Sequence, residues 1–172
     1  MQTRRATLQD AEAIARIYNQ GIEDGVATFE TVLRSVTDVQ RWFDGIHPIV
    51  VVEYESQVVA FAASSDYRAK RECYVGVAEF SVYVAREARG RGAGRLAMES
   101  LISATEQAGF WKLVSRVFPE NEGSRSLLRS CGFRKVGVYY RHGKLKGAWK
   151  DVVIVERLLN GDATQRPAPA IG

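Results

Sequence analysis

Apolar and polar positions follow two periodicities along the chain, one typical of helices and one typical of strands. Four apolar residues between 11 and 18 recur at helical spacing and predict an amphipathic helix over 8–21. β-branched runs at 49–54 and 58–64 are separated by three polar residues and predict a hairpin. The remaining predicted elements are strands over 3–7, 75–85, 112–118, 133–140 and 150–158, and helices over 37–43, 96–108 and 124–130.

The order of these elements indicates the fold class. Three early strands are followed by a strand, a glycine-rich turn, a helix, a strand, a helix and two strands. This mixture predicts a single α+β domain with a mixed sheet and argues against a doubly wound parallel sheet. A chain of 172 residues is expected to form one domain, here over 1–159. Residues 160–172 hold two of the four prolines and are expected to form a disordered tail.

Composition narrows the class of protein but leaves the ligand open. Hydrophobic residues make up 46% and charged residues 26% of the chain, which excludes a disordered or fibrous protein. The net charge of +4 is compatible with nucleic acid, an anionic membrane surface or a small polyanionic ligand. Cys73 and Cys131 form no CxxC pair, so neither a zinc site nor a disulfide framework is indicated. No apolar run reaches the length of a membrane span, and we expect a cytoplasmic location.

The excess positive charge concentrates in one glycine-rich turn between a predicted strand and a predicted helix. Backbone N–H groups and the helix dipole favour an anion there, and alternating glycines let a phosphate approach the backbone. Three arginines add charge at the same place. The residues predicted to hold a phosphate-bearing ligand are Arg89, Gly90, Arg91, Gly92, Ala93, Gly94 and Arg95.

Two known phosphate-binding motifs do not fit this turn. A Walker A loop ends in Gly-Lys-Ser/Thr, which the sequence after Gly94 does not supply. A Rossmann fingerprint needs GxGxxG spacing and an acidic residue about 20 positions further on, and both are missing. A glycine-rich connection with solvated arginines remains open as an alternative.

Several segments together resemble the GNAT superfamily of acyl-CoA-dependent N-acetyltransferases. The strand 80–84, the turn Arg89-x-x-Gly92-x-Gly94 and the helix after it are similar to the pyrophosphate-binding signature of that superfamily. Asn121-x-x-Ser124 is similar to its second cofactor segment, and the likeness extends to about residue 158. The cofactor contacts that the resemblance implies are Val82, Tyr83, Val84, Arg89, Gly90, Arg91, Gly92, Ala93, Gly94, Arg95, Asn121 and Ser124.

Within the superfamily, residues 77–84 and 147–152 resemble the phosphinothricin N-acetyltransferase branch. The resemblance implies a single domain with a mixed, centrally splayed sheet of about seven strands flanked by helices. It implies acetyl-CoA as co-substrate, no metal, and a homodimer. The acceptor would be the α-amine of phosphinothricin, arsinothricin or methionine sulfoximine, and acetylation would confer resistance to it.

Glu79 is the candidate catalytic residue. An amine attacks a thioester only when neutral, so the site needs a base. Glu79 stands between apolar neighbours in a predicted strand, and apolar surroundings make a carboxylate more basic. Its position also matches the base proposed for the family. The alternative is that Glu79 pairs with an arginine at a sheet edge.

The segment 66–74 is the candidate substrate loop, because three cations precede the strand of Glu79 there: Arg68, Lys70 and Arg71. By the resemblance, Arg71 and Tyr74 hold the acidic end of the substrate, Glu79 contacts its amine, and Phe29 forms an apolar wall. A guanidinium fork suits a carboxylate, phosphinate or arsinate oxygen pair. For Arg68 and Lys70 a solvated loop is an equal alternative.

One position departs from the family pattern. Leu128 stands where many GNAT enzymes have tyrosine and the phosphinothricin branch often has histidine, and leucine donates no proton. Tyr83, Tyr139 or Tyr140 could take over, or the thiolate could leave unassisted. Backbone N–H groups near Val82 would stabilise the oxyanion.

Two other function classes remain open from the sequence. One is a protein or peptide N-terminal acetyltransferase, for which 66–74 would form an open cleft. The other is a non-catalytic module that binds acyl-CoA or RNA. No basic stripe with interleaved aromatic residues is present, so we expect no nucleic-acid or membrane partner.

Overall fold

Seven strands form one mixed sheet in the order β1-β2-β3-β4-β5-β7-β6 in the computed structural model, which describes residues 1–69 and 71–159. The strands are β1 (Gln2–Arg5), β2 (Ile49–Tyr54), β3 (Gln57–Asp66), β4 (Val77–Val84), β5 (Lys112–Val117), β6 (Arg134–Leu145) and β7 (Ala148–Leu158). The helices are α1 (Ala11–Asp24), α2 (Val36–Gln40), α3 (Ala93–Gln107) and α4 (Glu122–Ser130). The predicted α+β fold with seven strands is confirmed.

The sheet opens in its middle, between β4 and β5. These strands run parallel, and their pairing covers three residue pairs and ends at Glu79 opposite Val114. Beyond that point Ser115 Oγ donates a hydrogen bond to the Phe80 carbonyl at 2.8 Å, while β5 stays paired with β7. The predicted central splay is therefore confirmed, and it begins next to Glu79.

Helices cover the sheet through apolar stripes at helical spacing. Ile14 and Ile17 of α1 and Met98 and Leu101 of α3 are fully buried in one core with Phe61 of β3. A second, smaller apolar cluster lies where the β6–β7 hairpin meets β5. It consists of Phe118, Leu145 and Val152, with Phe29 and Ile154 packed against them.

Several predicted boundaries differ from the observed ones. The helix predicted over 8–21 is a 3₁₀ turn (Leu8–Asp10) followed by α1, which ends at Asp24 and is capped by Gly25 with a φ of 67°. The short helix predicted from 37 begins at Val36, because Ser35 accepts a hydrogen bond from the Asp38 backbone N–H. The last two strands are longer than predicted, because they form one hairpin that turns at Gly147 with a φ of 84°.

Two predictions fall on residues outside the described part of the chain: the disordered tail at 160–172 and the contribution of Lys70 to the substrate loop. Within the described part, no helix is both long and apolar enough to span a bilayer. Cys131 is buried and Cys73 is exposed.

Candidate active site

A cavity of about 550 Å³ lies between the second half of β4, the glycine turn, and the N-terminal ends of α3 and α4. Eleven of the twelve residues predicted to contact the cofactor line it, and Arg91 is the exception. The eleven are Val82, Tyr83, Val84, Arg89, Gly90, Gly92, Ala93, Gly94, Arg95, Asn121 and Ser124.

The glycine turn presents unpaired backbone donors at one end of the cavity. Gly90 and Gly92 have φ values of 75° and 87°, a conformation that favours glycine. Within the described residues, the N–H groups of 90–94 donate to no acceptor, and they stand at the start of the 15-residue helix α3. A Cβ on Gly94 would lie 3.1 Å from Leu127 and 3.3 Å from Val84, so the turn sits close to both elements. A phosphate group fits this set of donors.

The arginines of the turn are less available to bind a ligand than the sequence suggested. Arg89 donates to Asp24 at 2.7 Å and to the Val84 carbonyl at 3.2 Å. Arg95 donates to Glu99 at 2.7 Å, and Arg91 is exposed and does not line the cavity. The guanidinium of Arg86, followed by that of Arg89, lowers the pKa of Asp24. The cavity end therefore combines free N–H groups with arginines that already have carboxylate partners.

Asn121 connects α4 to the loop after α1. Its Oδ1 accepts a hydrogen bond from the Ser124 backbone N–H at 3.1 Å, which caps the helix. Its Nδ2 donates to the Val26 carbonyl at 3.1 Å. Both polar atoms of the side chain thus shape the cavity wall, and the predicted cofactor role of Asn121 stays a prediction.

Strand β4 contributes residues from both of its faces to the cavity. Because side chains alternate along a strand, Ser81 and Tyr83 share the face of Glu79, while Phe80, Val82 and Val84 share the other face. All of these except Glu79 line the cavity. The cavity therefore reaches both faces of the sheet through the gap beside β5.

Tyr83 is held against α1 and the aromatic core. Its ring stacks on Phe61 at 5.5 Å and meets Tyr18 edge-on at 4.9 Å. Burial raises the pKa of the Tyr83 hydroxyl. Of the three tyrosines considered as proton donors, Tyr83 lines the cavity, whereas Tyr139 and Tyr140 are exposed on β6 and do not. Leu128 also lines the cavity and is buried.

Glu79 is half-buried, and its carboxylate is paired with Arg116 of β5. Arg116 Nε donates to Glu79 Oε1 at 3.0 Å, and Nη2 of the same guanidinium contacts the same oxygen. The expectation of apolar surroundings for Glu79 is wrong. The alternative partner, an arginine, is what the fold supplies, although at the centre of the sheet and not at its edge.

The predicted substrate residues lie outside the cavity lining. Phe29 meets Phe118 edge-on at 4.9 Å, and a Cβ on Gly143 would lie 2.8 Å from its ring. Tyr74 meets Tyr67 edge-on at 5.6 Å, and Arg71 is exposed. None of these three residues therefore shares the cavity lining with the cofactor candidates.

Two charged residues of the cavity lining, Asp24 and Arg116, were absent from the predicted site. Asp24 lies at the end of a helix, and nothing in the sequence distinguishes it there from an ordinary surface carboxylate. Arg116 carried a usable signal, since a cation in the predicted strand 112–118 is as unexpected as the acid of Glu79. Among residues 1–69 and 71–159, no group of three or more metal-ligating side chains converges.

The chain belongs to the acetyltransferase (GNAT) family, because its residues 14–133 match that family. Families of this name transfer acetyl groups, and the relatives of this chain are named N-acetyltransferases, so the protein is an enzyme of that class.

Two relatives with named substrates illustrate the likeness. The chain is 32% identical over 163 residues to phosphinothricin N-acetyltransferase from Alcaligenes faecalis, with 92% of this chain and 82% of that protein covered. It is 30% identical over 171 residues to L-methionine sulfoximine/L-methionine sulfone acetyltransferase from Pseudomonas paraeruginosa, with 96% and 97% covered.

One solved structure with the same fold is a complex with acetyl-CoA. The phosphinothricin acetyltransferase of Sinorhizobium meliloti in complex with acetyl-CoA is 28% identical, with a TM-score of 0.86 and coverage of 98% of this chain and 94% of that one. That protein binds acetyl-CoA within the same overall architecture.

Proposed function

We propose that this enzyme transfers the acetyl group of acetyl-CoA to the α-amine of a small acidic amino-acid analogue of the phosphinothricin, arsinothricin or methionine sulfoximine type. Acetylation removes the positive charge of the amine and thereby confers resistance to the analogue. The names of the relatives support this substrate class.

One observation carries the proposal: a single cavity has free backbone donors at one end and opens beside a carboxylate at the other. The N–H groups of 90–94 suit the pyrophosphate of acetyl-CoA. Val82 and Val84 offer an apolar wall for its pantetheine arm. The gap between β4 and β5 then gives the thioester access to the face on which Glu79 lies.

Acetyl-CoA supplies a thioester carbonyl, the carbon that the amine attacks. Glu79 accepts a proton from the substrate ammonium, directly or through water, and leaves a neutral amine. The nitrogen forms the new C–N bond at the carbonyl carbon, and the carbonyl oxygen becomes negative. The C–S bond then breaks with its electron pair going to sulfur, which leaves as thiolate, and the second proton of the nitrogen is released to water. A backbone N–H near Val82 stabilises the negative oxygen. Leu128 donates nothing, so the thiolate leaves without a general acid.

The substrate's acidic side chain would bind on the loop before β4. Arg71 and Tyr74 supply a guanidinium and a hydroxyl there, and Phe29 supplies apolar surface. In the structure Arg71 is exposed and Tyr74 is held by Tyr67.

Thiol release from acetyl-CoA tests the proposal. We expect release with phosphinothricin, arsinothricin or methionine sulfoximine, and little release with ordinary amino acids or an N-terminal peptide. Turnover of the peptide alone would favour the protein acetyltransferase alternative. No release with any amine would overturn the proposed reaction.

The resemblance also implies a homodimer and a cytoplasmic location, and both belong to the proposal. Light scattering after size exclusion measures the mass of the assembly against the 19.1 kDa of one chain. A monomer at working concentration would contradict the dimer and leave the proposed reaction intact.

A further inference from the structure

Arg116 is the cation that the fold places beside Glu79, and the family resemblance assigned it no role. It follows the last paired position of the parallel β4–β5 ladder by two residues, so its side chain shares the face of Glu79. Its guanidinium contacts Glu79, and Arg116 is one of the residues that line the cavity. The side chain therefore stands at the opening between the strands, on the side where the amine must approach.

Much of the Arg116 guanidinium is free to bind a ligand. A guanidinium has five N–H donors, and Arg116 directs two of them to one oxygen of Glu79. In the described part of the chain its guanidinium has no other hydrogen-bond partner, and 48% of its side chain is exposed. The donors that remain can form a second, parallel pair of hydrogen bonds with a planar anion.

The other two arginines of the cavity lining lie away from Glu79, at the glycine turn. Arg89 and Arg95 stand at the glycine turn, and each already holds a carboxylate, Asp24 or Glu99. Arg116 is the one cation among the described lining residues that lies next to Glu79. It also pairs across the sheet with Ile154, which packs on the apolar cluster of Phe118. Apolar surface on that side strengthens the attraction between a guanidinium and an anion.

We infer that Arg116 determines substrate specificity by binding the α-carboxylate of the amino-acid substrate. The amine and the carboxylate of an α-amino acid share one carbon atom. A substrate held through its carboxylate by Arg116 therefore presents its amine to Glu79. This inference rests on the proposed acetylation of an α-amine and adds the group that orients that amine.

The inference assigns the two ends of the substrate to different residues. Arg116 binds the α-carboxylate inside the sheet opening, whereas the loop of Arg71 and Tyr74 takes the side-chain end. An amine without an α-carboxylate would lose the first contact and keep the second. Specificity for amino acids over simple amines thus depends on Arg116 of β5.

The test compares L-methionine sulfoximine with its α-carboxamide, in which a neutral amide replaces the carboxylate. The variants are Arg116→Gln, Arg116→Lys and, as matched control, Arg5→Gln, an exposed arginine on the edge strand β1. The measured quantity is the ratio of kcat/KM for the acid to kcat/KM for the amide. Because every variant sees the same two substrates, the different basicity of their amines cancels.

We expect the wild type and the Arg5→Gln variant to prefer the acid. Arg116→Gln should lower the acid-to-amide ratio about ten- to a hundredfold, mainly through KM of the acid, as expected for lost hydrogen bonds between charged groups. Arg116→Lys should retain part of the preference, because it keeps the charge and loses the fork.

Equal losses with both substrates would overturn the inference, since they would show that Arg116 acts only by holding Glu79. An unchanged ratio would overturn it as well. If no variant acetylates either compound, the proposed function fails separately, and calorimetric binding still decides the inference. Wild type must then bind the acid more tightly than the amide, and Arg116→Gln must bind both alike.

Discussion

Asp24 Oδ2 accepts a hydrogen bond from Arg89 Nη2 at 2.7 Å, so the last residue of α1 holds the first arginine of the glycine turn. Asp24 also accepts from Arg86 at 2.8 Å. Both Asp24 and Arg89 line the cavity. A carboxylate therefore competes with any phosphate group for Arg89, and it adds a negative charge beside the turn that is proposed to bind the pyrophosphate.

Replacing Asp24 should tighten the binding of acetyl-CoA. We expect Asp24→Asn to lower its Kd severalfold at low salt, since an exposed charge interaction is worth on the order of 0.2–1 kcal/mol. The gain should shrink as salt screens the charges. Calorimetric titration measures it, with Glu12→Gln, an exposed carboxylate on the same helix, as control. Weaker binding would instead show that Asp24 orders the turn for its ligand.

Replacing Glu79 should remove turnover and leave cofactor affinity intact. A positioned general base contributes about 10²–10⁴-fold, and we expect Glu79→Gln to lower kcat by that range. Part of the loss should be recovered at high pH, where the amine is neutral without help. Steady-state kinetics and an acetyl-CoA titration of the same preparation check both points. Undiminished turnover at low pH would exclude Glu79 as the base.

Gly21 leaves space for the Tyr83 ring, and an alanine there should disturb the cavity. An added Cβ would lie 2.6 Å from Tyr83 Cε1. We expect Gly21→Ala to lower the free energy of unfolding by about 1–3 kcal/mol, as overpacking does, and to weaken acetyl-CoA binding. Gly137→Ala is the control, because its Cβ would meet no atom within 4 Å. Equal urea midpoints and equal affinities for the two variants would contradict this prediction.

The buried Asp10 should make stability depend on pH. Arg4 donates to both carboxylate oxygens at 2.8 Å, and Thr7 N–H donates at 2.7 Å. Above all the bond from Arg4 lowers the pKa of Asp10 below its ordinary value of 3.8. The carboxylate therefore stabilises the fold above that ordinary pKa, and the contribution disappears as the pH falls through the lowered one.

We expect Asp10→Asn to lower the free energy of unfolding by about 1–3 kcal/mol at neutral pH. The difference from wild type should vanish on acidification, because protonated Asp10 also lacks the charge. Urea unfolding at a series of pH values measures this, with Arg5→Gln as control. A difference that stays constant down to the acid transition would show that charge plays no part.

The parts of the site that depend on neighbours in sequence were predictable. The glycine turn was found because its spacing and its place between a strand and a helix decide where the backbone N–H groups lie. Contacts between residues that are distant in the sequence were not predictable. Arg116 is 37 positions from Glu79, and the pairing of β4 with β5 brings the two together. Phe29 was expected as an apolar wall of the substrate loop, and its contacts with Phe118 and Gly143 join residues that are far apart in the chain.

By itself the sequence determined the order of elements, the glycine turn between β4 and α3, and the carboxylate in the central strand, because periodicity and glycine placement act over a few residues. The tertiary structure decided which charges meet. The β4–β5 pairing ends next to Glu79, Arg89 forms an ion pair with Asp24, and Arg116 forms one with Glu79, the proposed base. Strand pairing and helix packing join residues that are far apart in the chain, and no local pattern specifies the partner.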